Sequence, residues 1–344
     1  MLMSFSASVL RFFTRASKRT PRPGFHELLT QHTGLSELFR VVPGNAALEV
    51  NRELFMSILT APVPLGLKQI VDSIDDVAAL PDVTMRIIQT ADDPNSNAFQ
   101  LLKVVSHDPA LVAKILKLVN SSFYGLPNKI ASLDRAISLL GMGGIRNLAI
   151  ASSVSGMFRG GELCAGYGPR DLWTHSIAVA VVAREFARKL KLPIVDEAFL
   201  VGMLHDLGLL VIHQKLPKEL RAICEESQRQ ERGFSEVERE LIGFDHQDLG
   251  TALATRWKFP ASVVNAIAFH HHPADAPEEH RSAASLICIA DTLCCHADEG
   301  FNLTACNQQI DEQMLAAVPV TAEVVVEIQN KVKDLVALAC PFSG

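Results

Sequence analysis

Residues 198–212 read AFLVGMLHDLGLLVI, an apolar run whose middle is interrupted only by His205 and Asp206. The periodicity predicts one continuous buried helix over residues 197–214. An ionised carboxylate in the centre of a buried helix loses its hydration, which costs several kcal/mol unless a positive group meets it. No Lys or Arg lies inside the run. We therefore expect the partners of Asp206 to come from other parts of the chain.

The rest of the chain is predicted to be helical from about residue 51 onwards. Apolar residues recur at spacings of three and four, in segments separated by short breaks that carry Pro, Gly, Asp or Asn. No strand-like alternation stands out. In the second half, the further predicted helices are residues 172–190, 218–230, 236–256, 261–270 and 283–296. The sequence therefore predicts an all-α fold.

Changes in composition suggest how the chain is divided. Residues 1–50 are expected to be a leader, partly disordered and with a weak helix, and residues 51–157 a first helical subdomain. Residues 170–300 would form a second helical subdomain, and residues 301–344 C-terminal helices that pack at the end or mediate association. The boundary is the glycine-rich, aperiodic stretch between Met157 and Pro169. One continuous bundle with a long loop there is the alternative.

The composition favours a globular protein and gives little support to nucleic-acid binding. The chain has 344 residues, 48% of them hydrophobic, with a mean hydropathy of +0.19, so it can bury a large core. Its net charge of −6 and pI near 6.1 provide no general attraction for nucleic acid. Two Trp and two Tyr offer few stacking platforms. We expect no nucleic-acid partner.

The cysteines and the N-terminus predict a cytoplasmic protein. Seven cysteines are scattered without a CxxC pair, a usage typical of reduced thiols that serve as small apolar side chains. In residues 1–24 the basic side chains follow the apolar stretch, which is the reverse of a secretory signal. No apolar run is long and unbroken enough to predict a transmembrane segment. A basic amphipathic helix touching an anionic membrane surface is the alternative to a disordered leader.

Two motifs resemble functional sites but have simpler interpretations. The pair His107-Asp108 precedes Pro109, so Asp108 is predicted to cap a helix. Three glycines at positions 141, 143 and 144 suggest a phosphate-binding loop, yet Arg146 occupies the place of the required third glycine and no strand precedes them. They are interpreted as a turn between two helices. We therefore expect no nucleotide cofactor.

Imidazoles and carboxylates recur inside the apolar segments of the second half. Asp206 and Asp291 both lie in runs without Lys or Arg, and convergence on a shared cation would explain both. A His and Asp donor set without thiolate suits one or two ions of Fe, Mn, Co, Ni, Zn or Mg. The candidate metal ligands are His175, His205, Asp206, His246, His270, His271 and Asp291.

A metal-free arrangement is the alternative to this site. Asp206 would then pair with protonated His175 or His205, and Asp291 with His246, as buried ion pairs. If two ions are bound about 4 Å apart, they could instead activate a water for the displacement of a phosphoester. The sequence is compatible with both buried ion pairs and bound metal ions.

The order of these donors resembles the ligand order of the HD phosphohydrolase superfamily, most closely its HD-GYP branch of cyclic-dinucleotide phosphodiesterases. The wider sequence is similar to the HDOD family, the HD-related output domains of bacterial signalling proteins. This resemblance covers residues 80–291. The segments that carry it are LPDVTMRIIQTADDP at 80–94, SHDPALVAKILKLVNSSFYG at 106–125, LDRAISLLGMGGIRNLA at 133–149, LWTHS at 172–176, FLVGMLHDLG at 199–208, GFDHQDLG at 243–250, WKFP at 257–260 and HHHP at 270–273.

The resemblance implies an HD-like helical bundle with an N-terminal helical subdomain, and a regulatory module that acts through contacts with a partner protein. Leu209 stands where the HD-GYP branch has a lysine, and the GYP signature is absent after His271. We therefore expect a signal-transduction output module that is not a competent cyclic di-GMP phosphodiesterase. The alternative is a metal-dependent phosphohydrolase, in which Asp206 would both ligate an ion and take up a proton.

Overall fold

The computed structural model of the chain describes residues 39–41, 48–50, 66–73, 79–230 and 232–339. The chain consists of two units, residues 1–65 and residues 66–344. In the first unit, β1 (Phe39–Val41) pairs antiparallel with β2 (Leu48–Val50). The sequence predicted no strand here, because strands of three residues are too short to display a recognisable alternation. The rest of the predicted leader, including its basic stretch, lies outside the described residues.

The described part of the second unit is built from helices, so the predicted all-α fold is confirmed. Two 3₁₀ turns, Ser155–Met157 and Pro273–Asp275, interrupt the series of α-helices. In chain order these are α1 (Leu67–Asp72), α2 (Asp82–Asp92), α3 (Ala98–Val105), α4 (Pro109–Val119), α5 (Leu133–Val154), α6 (Pro169–Lys189), α7 (Val195–Leu204), α8 (Leu207–Lys215), α9 (Pro217–Gln230), α10 (Phe234–Ile242), α11 (His246–Arg256), α12 (Ala261–Ala268), α13 (Glu278–His296), α14 (Glu312–Ala317), α15 (Ala322–Gln329) and α16 (Val332–Ala339).

Helices α2, α3 and α4 pack around α5. The side chain of Asp108 accepts a hydrogen bond from the backbone N–H of Leu111 at 2.9 Å, and Pro109 is the first residue of α4. The predicted capping role of Asp108 is therefore confirmed, since the missing N–H of proline is not needed in the first turn. The pair His107-Asp108 belongs to the helix start and not to a binding site.

Helix α5 contains the glycines that were interpreted as a turn. Gly141 has φ of +72°, a left-handed conformation that glycine adopts without strain, and it kinks the helix at this point. Leu133–Met157 is long and apolar enough to cross a membrane, with a mean hydropathy of 1.3, but 56% of its apolar window is buried within the bundle. Packing in the core accounts for this apolar character.

Helices α6, α7, α8, α11, α12 and α13 surround the centre of the second half. Helix α6 packs against α7 and α13, while α8 packs against α11 and α12 packs against both α11 and α13. Two of these contacts are unusually close and require glycine. A Cβ at Gly202 would lie 2.6 Å from the Cα of Ala180 in α6, and one at Gly208 would lie 2.0 Å from the carbonyl oxygen of His246.

Two predicted helices are each divided in the structure. The helix predicted over residues 197–214 breaks at His205 and Asp206, which separate α7 from α8. The helix predicted over residues 236–256 ends at Gly243, which has φ of +85°, and restarts at His246. Apolar periodicity continued across both breaks, so the prediction of continuous helices was wrong. At the first break Asp206 leaves the helical conformation, and at the second a left-handed glycine ends the helix.

The predicted boundary between Met157 and Pro169 lies in a loop with an isolated bridge between Cys164 and Tyr167. The division of the helical chain into subdomains at that loop stays a prediction.

Candidate metal centre

The structure brings all the predicted donor side chains together inside the bundle. Each is fully buried except that of His271, whose exposed fraction is 8%. They come from five separate segments of the chain. His175 lies in α6, His205 and Asp206 at the break between α7 and α8, His246 at the first residue of α11, His270 and His271 just after α12, and Asp291 in α13.

Asp206 lies at the middle of the cluster. Its Oδ1 is 3.3 Å from Nε2 of His246 and 3.6 Å from Nε2 of His270. Its Oδ2 is 3.3 Å from Nε2 of His205 and 3.7 Å from Nε2 of His175. Each carboxylate oxygen therefore faces a different pair of imidazoles.

Asp291 closes the opposite side of the cluster. Its Oδ1 lies 3.0 Å from Nε2 of His175, and its Oδ2 lies 3.8 Å from Nδ1 of His271. The metal-free alternative paired Asp291 with His246, whereas in the structure His246 faces Asp206. The imidazoles of His175 and His205 thus lie close to both carboxylates, whereas His246 and His270 face Asp206.

In three imidazoles, Nδ1 faces away from the cluster and makes a hydrogen bond that fixes the direction of Nε2, which faces the cluster. A carbonyl oxygen accepts only, so a ring whose Nδ1 bonds to one must donate there, and in its neutral form Nε2 keeps a lone pair directed at the cluster. Such second-sphere bonds are typical of imidazoles that bind metals. The bonds are from His175 to Glu299 at 3.2 Å, from His205 to Gly202 at 2.7 Å and from His270 to Ile267 at 2.7 Å.

Glu238 holds His246 in the same manner through a carboxylate. Its Oε2 accepts Nδ1–H of His246 at 2.6 Å and the backbone N–H of the same residue at 3.3 Å. The Glu238 side chain is fully buried, and its other oxygen has no hydrogen-bond partner among the described residues. Sequence reasoning missed Glu238, although its position midway between Phe234 and Ile242, four residues from each, places it on the apolar face of α10.

Gln308 is a second residue that the sequence did not indicate. Its Oε1 is 3.1 Å from Nδ1 of His271, and its Nε2 donates to Sγ of Cys288 at 2.7 Å. Gln308 lies outside the helices, in a segment without periodicity, so no sequence signal connects it to His271. The backbone N–H of His271 is bound by Oε1 of Gln247 in α11.

The segment after α13 covers the cluster next to His175. Gly300 has φ of +76°, and a Cβ there would lie 2.4 Å from the carbonyl oxygen of Asp171 in α6. Phe301 donates its backbone N–H to the same carbonyl oxygen at 3.0 Å. This close backbone contact seals the side of the cluster where Glu299 binds His175.

Asp245 anchors the start of α11 one residue before His246. Its Oδ1 accepts the backbone N–H of Asp248, and its Oδ2 lies 2.6 Å from a guanidinium nitrogen of Arg239. Burial would raise the pKa of Asp245, but His246, the Asp248 N–H and Arg239 together lower it. The carboxylate is therefore ionised and holds the helix start in place.

The electrostatics of the cluster favour positive charge at its centre. Burial favours the neutral form of His246, but the carboxylates of Glu238 and Asp206 outweigh it and raise the pKa of His246 to about 10. Burial likewise opposes ionisation of Asp206, yet the surrounding imidazoles hold its pKa well below its usual range. The pKa of His205 is raised, against burial, mainly by Asp206. The carboxylates thus require either protons on some imidazoles or a cation among them.

The donor set fits a divalent metal ion. Buried polar atoms that lack a well-aligned hydrogen bond to any described residue include Nε2 of His175 and His205, both Asp206 oxygens and Oδ2 of Asp291. Donors bound tetrahedrally to Zn²⁺ at about 2.0–2.2 Å lie about 3.3–3.6 Å from one another, which is close to the spacing around Asp206. Two overlapping groups share Asp206, and in each the ligand atoms lie within 4.8 Å of one another: Asp206, His246, His270 and His271, and His175, His205 and Asp206.

Comparison with known proteins connects this centre to a family. The profile of the HDOD domain matches residues 77–273. An uncharacterized protein of Treponema pallidum (strain Nichols) is 26% identical over 223 residues, which cover 64% of this chain. The chain spans only 43% of the length of that relative.

Solved structures share the fold. A protein of Shewanella amazonensis SB2B, named as a proposed phosphohydrolase, is 26% identical with a TM-score of 0.63, over 80% of this chain and 96% of its own. A protein of Marinobacter aquaeolei VT8, named as a proposed signal transduction protein, is 24% identical with a TM-score of 0.67, over 85% of this chain and 66% of its own. An HDOD domain protein of unknown function from Geobacter sulfurreducens is 22% identical with a TM-score of 0.62, over 78% and 96%.

The family match covers more than half of the chain and includes most of the cluster, from His175 to His271. Asp291 and the segment that covers His175 lie beyond the matched residues. The predicted resemblance is confirmed, and the chain belongs to the HDOD family.

Proposed function

We propose that this chain is a signal-transduction output module of HDOD type, which acts through contacts with a regulatory protein and holds a divalent metal ion inside its bundle. The observation that carries the proposal is the deep burial of a cluster in which both oxygens of Asp206, Oδ2 of Asp291 and Nε2 of two imidazoles lack a well-aligned hydrogen bond to a described residue. Such a cluster is costly without a cation and inaccessible to a large substrate. HDOD family membership supports the signalling role.

The buried donors would couple metal occupancy to the structure of the whole helical body. His175, Asp206, His246 and Asp291 belong to different helices or breaks, so a bound ion would hold those elements in one arrangement. An ion that binds the folded state and not the unfolded chain stabilises the fold by mass action. Metal availability is thereby a signal that such a module can transmit to a partner surface.

The environment of the cluster argues against hydrolysis of cyclic di-GMP. Leu209, at the position where the HD-GYP branch has lysine, is 1% exposed and cannot supply a phosphate-binding cation. A phosphoester must reach the ion to be cleaved, and the buried donors leave no exposed face apart from the edge of His271. Free thiols at all six described cysteines accord with the cytoplasmic location that we propose.

A metal-dependent phosphohydrolase is the second candidate. The arrangement of Asp206, with each oxygen facing a different pair of imidazoles, is what a carboxylate shared by two ions requires. The Shewanella protein at 26% identity carries a phosphohydrolase name. A pair of bound ions would supply an activated water, and the role left to this chain would be proton uptake at the Asp206 carboxylate. For this candidate the bundle must open to admit substrate.

The metal content of native protein, purified without chelator, tests the proposal. We expect a stoichiometric divalent ion in the wild type and little in Asp206→Asn, which keeps the shape of the side chain but removes its charge. Protein that lacks metal and does not take up Mn²⁺, Fe²⁺ or Zn²⁺ would instead support buried ion pairs.

Hydrolysis and partner binding are then measured on the metal-loaded protein. We expect cyclic di-GMP and bis(p-nitrophenyl) phosphate to be cleaved no faster by the wild type than by Asp206→Asn. Turnover that requires both metal and Asp206 would overturn the regulatory proposal in favour of the phosphohydrolase. Cross-linking in the native cells is expected to identify a regulatory protein, and recovery of chaperones alone would count against that partner.

A further inference from the structure

We propose that Cys295 is a ligand of the metal centre, so that the Asp291 side of the cluster forms a mixed nitrogen, oxygen and sulfur site. The inference rests on the proposed metal binding and specifies its class. A thiolate among the donors favours a borderline-soft ion such as Zn²⁺ and disfavours Mg²⁺. The sequence predicted a donor set without thiolate and interpreted the cysteines as small apolar residues.

The position of Cys295 on α13 brings its sulfur to the cluster. Cys295 lies four residues after Asp291, one helical turn along, so the two side chains share a face of α13. Its Sγ lies 3.4 Å from Oδ1 of Asp291, which in turn lies 3.0 Å from Nε2 of His175. The ligand atoms of these three residues all lie within 4.8 Å of one another.

Two of these three residues offer unsatisfied atoms that point to a ligand. His175 and Asp291 are fully buried, and Nε2 of the first and Oδ2 of the second have no well-aligned hydrogen bond to a described residue. Donors of tetrahedral zinc with one sulfur at about 2.3 Å and nitrogen or oxygen at about 2.0–2.1 Å lie roughly 3.3–3.6 Å apart. The observed separations of 3.0 and 3.4 Å are near this range.

Proton balance accompanies the binding. Cys295 donates its thiol proton to Oδ1 of Asp291, and its sulfur is also 3.8 Å from Oγ1 of Thr304. The thiolate is the ligand form, so binding of the ion releases this proton to solvent while the sulfur and the carboxylate both bind the cation. The other side of the cluster, around Asp206 and His246, has only nitrogen and oxygen donors. The two sides would thus differ in the ions they prefer.

Cobalt substitution of the full chain provides a direct test. Co²⁺ replaces Zn²⁺ and gives a near-ultraviolet charge-transfer band only when a thiolate is bound. We expect this band in the wild type and in Cys294→Ser, a control at a neighbouring residue that is equally buried but belongs to no donor group. The band should be absent from Cys295→Ser, and the affinity for Zn²⁺ should fall about tenfold or more.

The outcomes separate this inference from the proposed function. Cobalt that binds the wild type with visible bands but without charge transfer would overturn the role of Cys295 and leave metal binding intact. Failure of the wild type to bind cobalt or zinc would overturn both. If Cys295→Ser does not fold, X-ray absorption of the zinc-loaded wild type decides. One sulfur scatterer at about 2.3 Å is expected, and its absence refutes the inference.

Discussion

The close contact between α8 and α11 makes a strong prediction for Gly208→Ala. A Cβ at this position would lie 2.0 Å from the carbonyl oxygen of His246, 2.8 Å from its carbonyl carbon and 3.0 Å from the backbone N of Gly250. All three are backbone atoms, so no side-chain rotation can relieve the clash. The two helices must separate locally by about 1 Å, because a packed interior has no spare volume.

The magnitude follows from the nature of the clash. Overpacking a core typically costs about 1–3 kcal/mol, and a clash with backbone belongs at the upper end of that range. For a protein of this size, roughly 2 °C of Tm is lost per kcal/mol, so we expect Gly208→Ala to lower Tm by about 6 °C or more. Because His246 lies on the displaced helix, its Nε2 also retreats from Asp206 and the affinity for metal should fall.

Calorimetry and metal titration measure the two effects. The matched control is Gly156→Ala, where an added Cβ meets nothing within 4 Å, and its effect should remain within about 0.5 kcal/mol. If Gly208→Ala melts at the same temperature as the wild type, α8 and α11 do not approach as closely as the structure has them. His246 would then not be held beside Asp206 by this helix contact.

Three further predictions concern the carboxylates around His246. Asp206→Ala, measured by denaturant titration in chelator, should lower the free energy of unfolding by about 3–5 kcal/mol, because the buried imidazoles lose their counter-charge. Unchanged stability would mean that Asp206 is solvated. Glu238→Gln should weaken metal binding about 10- to 100-fold in calorimetric titrations, and an unaltered affinity would exclude its orienting role. Asp245→Asn keeps the helix cap. Since the folded-state pKa of Asp245 is lowered, its charge contributes stability that is complete above the ordinary Asp pKa of about 3.9 and is lost as pH falls through the folded-state value. The variant should therefore lose less stability than the wild type on acidification, and parallel melting curves from pH 6 to pH 2 would refute this pairing.

The chemistry of the centre was largely predictable from single residues. Asp206 and Asp291 stood in apolar runs without a cation, and burial of ionised carboxylates requires partners wherever the chain supplies them. The helical periodicity and the cap at Asp108 were equally local features. They could be read from neighbouring residues because each depends on contacts within a turn or two of helix.

The residues that sequence reasoning missed act over long separations. Glu299 binds His175 although 124 positions separate them, and Gln308 binds His271 across 37 positions. Periodicity carries no information about such pairs, because it reports which face of an element is buried and not what that face meets. In the sequence, nothing distinguishes Cys295 from other small apolar residues. Its proximity to His175 results from the packing of α13 against α6.

By itself, the sequence determined that the chain is helical, that it belongs with the HDOD proteins, and that His and Asp donors lie on buried faces. Only the tertiary structure decided that the helix breaks at His205 and Asp206, that Glu238 and Gln308 orient the imidazoles, and that the cluster is closed to solvent apart from the edge of His271. The physical reason is that burial and hydration are properties of packed surfaces. The type of side chain determines a donor's chemistry, but helices far away in sequence determine its exposure to solvent.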